Sequence, residues 1–137
     1  MEMDIIQLDT EVAKRKIREL DLSFVERRLV NMEGCTAAYA LEAVDQYRQL
    51  LTLQVEHPDR MLAPPVAADR ALHAHILHTQ RYADDTQAIF GRFLHHDPER
   101  TNEEARTFTR QAFQDLFGVT VETFALCVVA IEMKLAA

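Results

Sequence analysis

Apolar residues return at helical spacing in almost every stretch of this chain, and that period limits the fold more than any other feature. The clearest case is the stretch from about residue 36 to 54. There Ala40, Val44, Tyr47, Leu51 and, just beyond, Val55 follow one another at steps of three or four. Tyr39, Ala43 and Leu50 widen the same side. Residues three and four apart share one face of an α-helix, so this segment presents a broad apolar side to a core. Residues 11–20 repeat the pattern with Val12, Ala13, Ile17 and Leu20, and the next helix carries Phe24, Val25, Leu29 and Met32.

Helix ends are marked as well. Ser23 with Glu26, and Thr101 with Glu104, read as capping boxes, in which a hydroxyl and a carboxylate each take a free amide. Gly34 and Gly118 suit the left-handed position that closes a helix. The run from His57 to Pro65 holds Pro58, Pro64 and Pro65. Proline has no amide to donate, so the run reads as a loop, and Pro65 can open the next helix. That helix, 65–77, groups Asp69, Leu72, His73 and Ile76. A following one, about 80–95, groups Tyr82, Thr86, Ile89, Phe90 and Phe93 and is stopped by Pro98. Phe108, Ala112, Phe113, Leu116 and Phe117 line another. Thr120 would cap a last helix carrying Val121, Phe124, Val128, Ile131 and Leu135, apolar almost all round between 124 and 131. No run of alternating β-branched residues demands a sheet. The expected architecture is all-α: a single-domain bundle of six or seven helices over residues 1–137.

With 137 residues, 48% of them hydrophobic, the chain can bury one core without disulfides or a metal. The formal charge is −7 and basic residues form no stripe, so neither nucleic acid nor an anionic membrane is an expected partner. The first ten residues lack a basic region followed by an apolar run, so no secretory signal is expected. Phe124 to Ile131 is too short to cross a bilayer. Cys35 and Cys127 form no pairing framework and read as reduced thiols in a cytoplasm. Cys127, in the greasiest run, is expected to be an inert buried thiol.

The chemistry-bearing residues concentrate between Leu72 and Pro98, which hold five of the six histidines. Successive helical residues turn by about 100 degrees, so His73 and His75 point apart and cannot share a metal from one regular helix. His75 and His78 are close to one turn apart and could. His73 and Asp69 are also one turn apart, where a carboxylate can fix an imidazole tautomer or form a buried ion pair. On the helical wheel His96 falls on the Ile89–Phe93 side and His95 does not. A convergent set is therefore Asp69, His73 and His96, joined by Tyr82 or His95. H-E-x-x-H is absent and no Glu-x-x-His pair appears, which argues against a zincin or a ferritin-like di-iron site. His57, His78, Asp84 and Asp85 are expected to face water, and the Tyr82, Phe90, Phe93 stripe to be core. There is no glycine-rich phosphate loop and no G-x-S-x-G.

The run Asp69-Arg70-Ala71-Leu72-His73-Ala74-His75-Ile76-Leu77, with Thr79, Tyr82, Phe90-Gly91 and Phe93-Leu94-His95-His96, resembles the glycine-rich domain-containing protein-like family. Tyr47-Arg48-Gln49-Leu50-Leu51 resembles a stretch that precedes it there. The resemblance covers about residues 36–98, with an echo at Leu116-Phe117-Gly118 that extends the family-like core to about 36–118. Leu72 stands where that pattern has tryptophan, and Thr86 where it has cysteine. The resemblance implies a shared domain, points to Asp69, His73, His75, Tyr82, His95 and His96, and supplies no reaction.

Three readings follow. The first, and favoured, is a protein-interaction or regulatory module whose histidines join the helix 65–77 to the next, with a protein partner or itself as partner. The second is a metal-binding protein or metalloenzyme that holds zinc or iron through His73, His75, His95 or His96 with Asp69; the absence of any cofactor is weighed equally. The third is a homodimer through the C-terminal helix.

Overall fold

The structure is a computed structural model describing residues 8–133. Among these are six helices and a two-stranded sheet. They run in the order α1 (Thr10–Glu19), α2 (Ser23–Asn31), α3 (Ala37–Glu56), α4 (Val66–Leu77), α5 (Thr79–Phe90), β1 (His95–Asp97), α6 (Glu103–Phe117) and β2 (Val128–Ala130). The fold is mostly α, as the periodicity predicts. No helix among the described residues is long and apolar enough to cross a membrane.

α3 is the central element, packed most extensively against α4 and touching α1, α2 and α6. Its twenty residues span about 30 Å at 1.5 Å per residue, long enough to cross the domain. Ala40, Ala43, Val44, Tyr47, Leu50, Leu51 and Val55 are all buried, which is the face the spacing selects. Thr36 caps its start by accepting from the Tyr39 amide at 3.1 Å. α3 also closes its neighbour. The Arg48 guanidinium donates to the Ile17 and Leu20 carbonyls at the end of α1, where Ile17 also accepts from the Leu20 amide.

Two helix starts differ from expectation. Ser23 does not cap α2 through an amide; its hydroxyl donates to Asp21 at 2.6 Å. At α6 the cap is Asn102 rather than Thr101, and it accepts from the Ala105 amide at 2.9 Å. Either residue type suits an N-cap, and a one-residue shift lies within the scatter of helix ends.

Two larger differences bear on the site. α5 stops at Phe90, because Gly91 takes φ +68° and turns the chain out of the helix. His95 and His96 therefore lie on a strand, and Phe93 is left 43% exposed instead of joining the core. The second difference is the expected last helix. Residues 119–133 form none; the chain runs extended across the loop before α4. β2 pairs antiparallel with β1, placing His96 opposite Val129, and on its other side Val129 bridges to Leu62. Val128, Val129 and Ala130 are all buried. A short apolar run with adjacent valines fits a buried strand as well as a buried helix, and here pairing to β1 decides it. Leu135 lies outside the described residues. The helix that was to carry a homodimer contact is therefore not formed by 119–133. Val128 is fully buried, so a charge placed there would disrupt the core rather than probe a surface.

Candidate functional site

α4 begins directly after Pro64 and Pro65, and its first turns place Asp69 and His73 one turn apart on the side facing β1 and the 119–133 segment. β1 brings His96 to the same place, and the extended segment brings Cys127. All three meet a single oxygen. Asp69 Oδ1 lies 3.5 Å from His73 Nε2, 3.4 Å from His96 Nε2 and 3.2 Å from Cys127 Sγ. One ligand atom from each of Asp69, His96 and Cys127 falls within 4.8 Å of the other two. The His73 and His96 rings stand edge to face, 4.8 Å between centroids.

The Cys127 thiol donates to Asp69. His96 is different. Its side chain is 9% exposed, yet its Nε2 has no aligned hydrogen-bond partner; the 3.4 Å approach to Asp69 is an electrostatic contact. A buried ring nitrogen left in this way is costly unless something fills its lone pair or takes its proton.

Burial alone would push the Asp69 carboxyl up. Polar contact with His96 and Cys127, and the nearby His73 and His96 rings, outweigh it and hold the carboxyl below its ordinary range. The Cys127 thiol moves the other way: burial and then the Asp69 charge push it far above the usual thiol range. It therefore carries its proton.

The other histidines lie elsewhere. His75, one turn from neither Asp69 nor His96, is 1% exposed and fully engaged. Its Nε2 is 2.8 Å from Asp85 Oδ2, and its Nδ1 is 2.7 Å from the Tyr47 hydroxyl. A carboxylate only accepts, so Nε2 donates and Nδ1 accepts from Tyr47. Asp85 is thus not the solvent-facing residue expected from sequence. Tyr82, also buried, donates to the Leu94 carbonyl at 2.6 Å and packs edge-on against His75. Thr86 donates back to the Tyr82 carbonyl at 2.9 Å, inside its own helix. His95 is exposed and meets Phe93 edge to face. Neighbouring strand residues point to opposite faces, which separates it from His96. His78 is exposed, with Nδ1 near the Ala74 carbonyl, whereas His57 is half-buried against Phe108. His73 is half-exposed at the rim, not on an apolar face.

The structure thus brings Asp69, His73 and His96 together and leaves His75, His95, Tyr82 and Thr86 outside that group. The member that sequence reasoning missed is Cys127. It stands 58 positions from Asp69, and no local spacing signals the contact.

No curated protein and no solved structure matches the chain. A family match does exist, and it overturns the resemblance to the glycine-rich domain-containing protein-like family. The UCP032817-like family matches residues 16–122, from within α1 past the end of α6. The match takes in Asp69, His73 and His96 and stops short of Cys127. It covers most of the chain, and on that extent the protein belongs to the UCP032817-like family.

Proposed function

We propose that the protein binds a divalent transition-metal ion, with preferences like those of zinc, through Asp69, His96 and Cys127. His73 or a water completes the shell. The observation that carries this reading is the buried His96 Nε2 without an aligned partner, aimed at a carboxylate that also holds a thiol.

The distances support it. An ion about 2.0–2.1 Å from nitrogen and oxygen and about 2.3 Å from sulfur, held tetrahedrally, separates its ligand atoms by roughly 3.3–3.6 Å. Asp69 Oδ1 lies 3.4 Å from His96 Nε2 and 3.2 Å from Cys127 Sγ, and the three ligand atoms all fall within 4.8 Å of one another, so the set would need to draw in only slightly around an ion. The donor set supports it as well. A thiolate with an imidazole and a carboxylate suits zinc or its neighbours; magnesium and calcium prefer oxygen alone. Three protein ligands with a half-exposed fourth position would leave room for a bound water or an exogenous ligand.

A cysteine nucleophile fits the same residues less well. A nucleophilic thiol needs surroundings that favour the thiolate, and Asp69 beside Cys127 does the reverse. For His75 alone, a purely structural role is favoured, because both its nitrogens are satisfied. That network joins α4 to α5 and is what the interaction-module reading has in its support.

The test is metal content by mass spectrometry on protein purified without a histidine tag, after equilibration with zinc. The expected result is one ion per chain, lost in His96→Ala and Cys127→Ser and retained more weakly in His73→Ala. A folded wild-type protein that takes up no stoichiometric metal would sink the proposal and leave the histidines as packing residues.

A further inference from the structure

On the side where α2 meets the start of α3, the chain uses small residues. Ala37 and Ala40 face α2 across a groove of about 310 Å³. With only methyl groups on that side of α3, the space between the two helices stays unfilled. Val30 lines the α2 wall and Leu41 the α3 wall. Val30 is 37% exposed, Leu41 54%, and Met32, just past the end of α2, 72%. Three of the eight large apolar residues exposed among the described residues thus lie between positions 30 and 41. Single exposed apolar residues are ordinary, whereas a set gathered beside a charged rim marks an interaction surface. The rim here carries both signs, Glu26 and Arg27. Among the described residues, Arg27 bonds the Ser23 hydroxyl at 3.3 Å and pairs with no carboxylate, and Glu26 pairs with no cation. Arg28, the next residue, is by contrast already held by Glu33.

We infer that this α2–α3 face is the interface of a two-fold homodimer, in which Leu41 of each chain enters the groove of the other and Arg27 of each meets the partner subunit's Glu26. The argument for a second copy is self-complementarity. In a two-fold contact the same patch serves on both sides, so a residue that touches a second one is touched by it in return. The face supplies both halves of each contact. It has a groove and, beside it, an exposed leucine to fill one. It has an unpaired carboxylate and, beside it, an unpaired guanidinium. A face of one sign would call for a partner of the other sign; a face with both signs suits its own copy. The apolar residues exclude water at the centre, and the charges at the rim fix the register. Asp69, His96 and Cys127 do not line this face, so the inference is independent of the metal site.

Sedimentation equilibrium of the intact chain at low salt tests this, with circular dichroism to check that each variant is folded. The wild type should associate to twice the mass of the chain. Leu41→Glu places a charge in the apolar centre and should raise the dimer Kd by about tenfold or more. Glu26→Arg and Arg27→Glu each set like charges against each other across the two-fold, and each should weaken self-association by about fivefold. Mixed in equal amounts, these two variants should pair with each other at about the wild-type Kd, because one brings two cations and the other two carboxylates. A wild type still monomeric at about 1 mM would overturn the inference and leave the groove to a different protein or to none. A dimer that Leu41→Glu leaves intact would place the interface elsewhere. Charge variants that separate alone and do not recover when mixed would rule out the Arg27–Glu26 pairing and the two-fold arrangement built on it.

Discussion

His75 and Asp85 are joined across the break between α4 and α5, with Nε2 2.8 Å from Oδ2. Tyr47, from α3, closes the other side of the ring at 2.7 Å. Three helices thus share one fully buried imidazole whose tautomer is set by its two partners. Replacing Tyr47 with Phe keeps the ring and leaves Nδ1 without a donor. A buried polar atom stripped of its partner costs about 1–3 kcal/mol. Urea denaturation of Tyr47→Phe should show a loss of that size; a loss under about 0.5 kcal/mol would mean that the bond contributes little.

The same ring makes stability depend on pH in a defined direction. Burial pushes the His75 pKa below its ordinary 6.5, against the opposing pull of Asp85, with Arg81 and His78 adding to the downward shift. As pH falls below 6.5, the unfolded chain takes up a proton that the native ring resists. This contribution to stability therefore declines from pH 6.5 down to the lowered native pKa. Asp69 acts in a separate window. Its carboxyl lies below its ordinary 3.8, so its contribution is present above that value and is lost as pH falls through the lower native one. Chemical denaturation at a series of pH values should show a decline below 6.5 that His75→Gln flattens. An unchanged slope in that variant would assign the decline to another group.

Metal binding at Cys127 should release a proton. The thiol is protonated in the metal-free protein, and a metal takes it as thiolate. Titration calorimetry with zinc in two buffers of different ionisation enthalpy should report about one proton released per ion, with affinity rising as pH rises. Tight binding without proton release would mean that Cys127 is not a ligand.

Gly91 is expected to be sensitive to any side chain, for reasons of backbone alone. Its φ is +68°, and no atom lies within 4 Å of where a Cβ would stand. Gly91→Ala therefore meets no clash and carries only the left-handed penalty, about 1–2 kcal/mol. Since this turn releases the chain toward β1, the variant should also weaken zinc binding by moving His96. Unchanged stability by thermal melting would show that the turn relaxes to another form.

The helices were legible because each buries a face that repeats every three or four residues, α3 above all. The segment 119–133 was not, since an apolar run such as Phe124 to Ile131 carries no period to separate a buried helix from a buried strand. His96 shows the same limit in another form. A helical wheel puts it on the Ile89–Phe93 side of a continuing helix and so in a set with Asp69 and His73; the structure brings it to them too, but by means of a strand that begins after Gly91 has ended the helix. His75 and Asp85 were read separately, one pointing away from His73 and one in water, because their contact crosses a helix break. Cys127 gave no signal at all. Its relation to Asp69 exists only once the chain has folded back antiparallel on residues 62–66.

That return path sets an order of assembly. A ribosome builds the chain from its N-terminus, so α1 through α5 emerge and can pack around α3 before Cys127 emerges. Asp69, His73 and His96 must wait for it, and an ion arriving early meets at most oxygen and imidazole. The sulfur comes last, so on the metal reading proposed above the nascent domain would offer only oxygen and imidazole and would hold a zinc-like ion less selectively than the finished one.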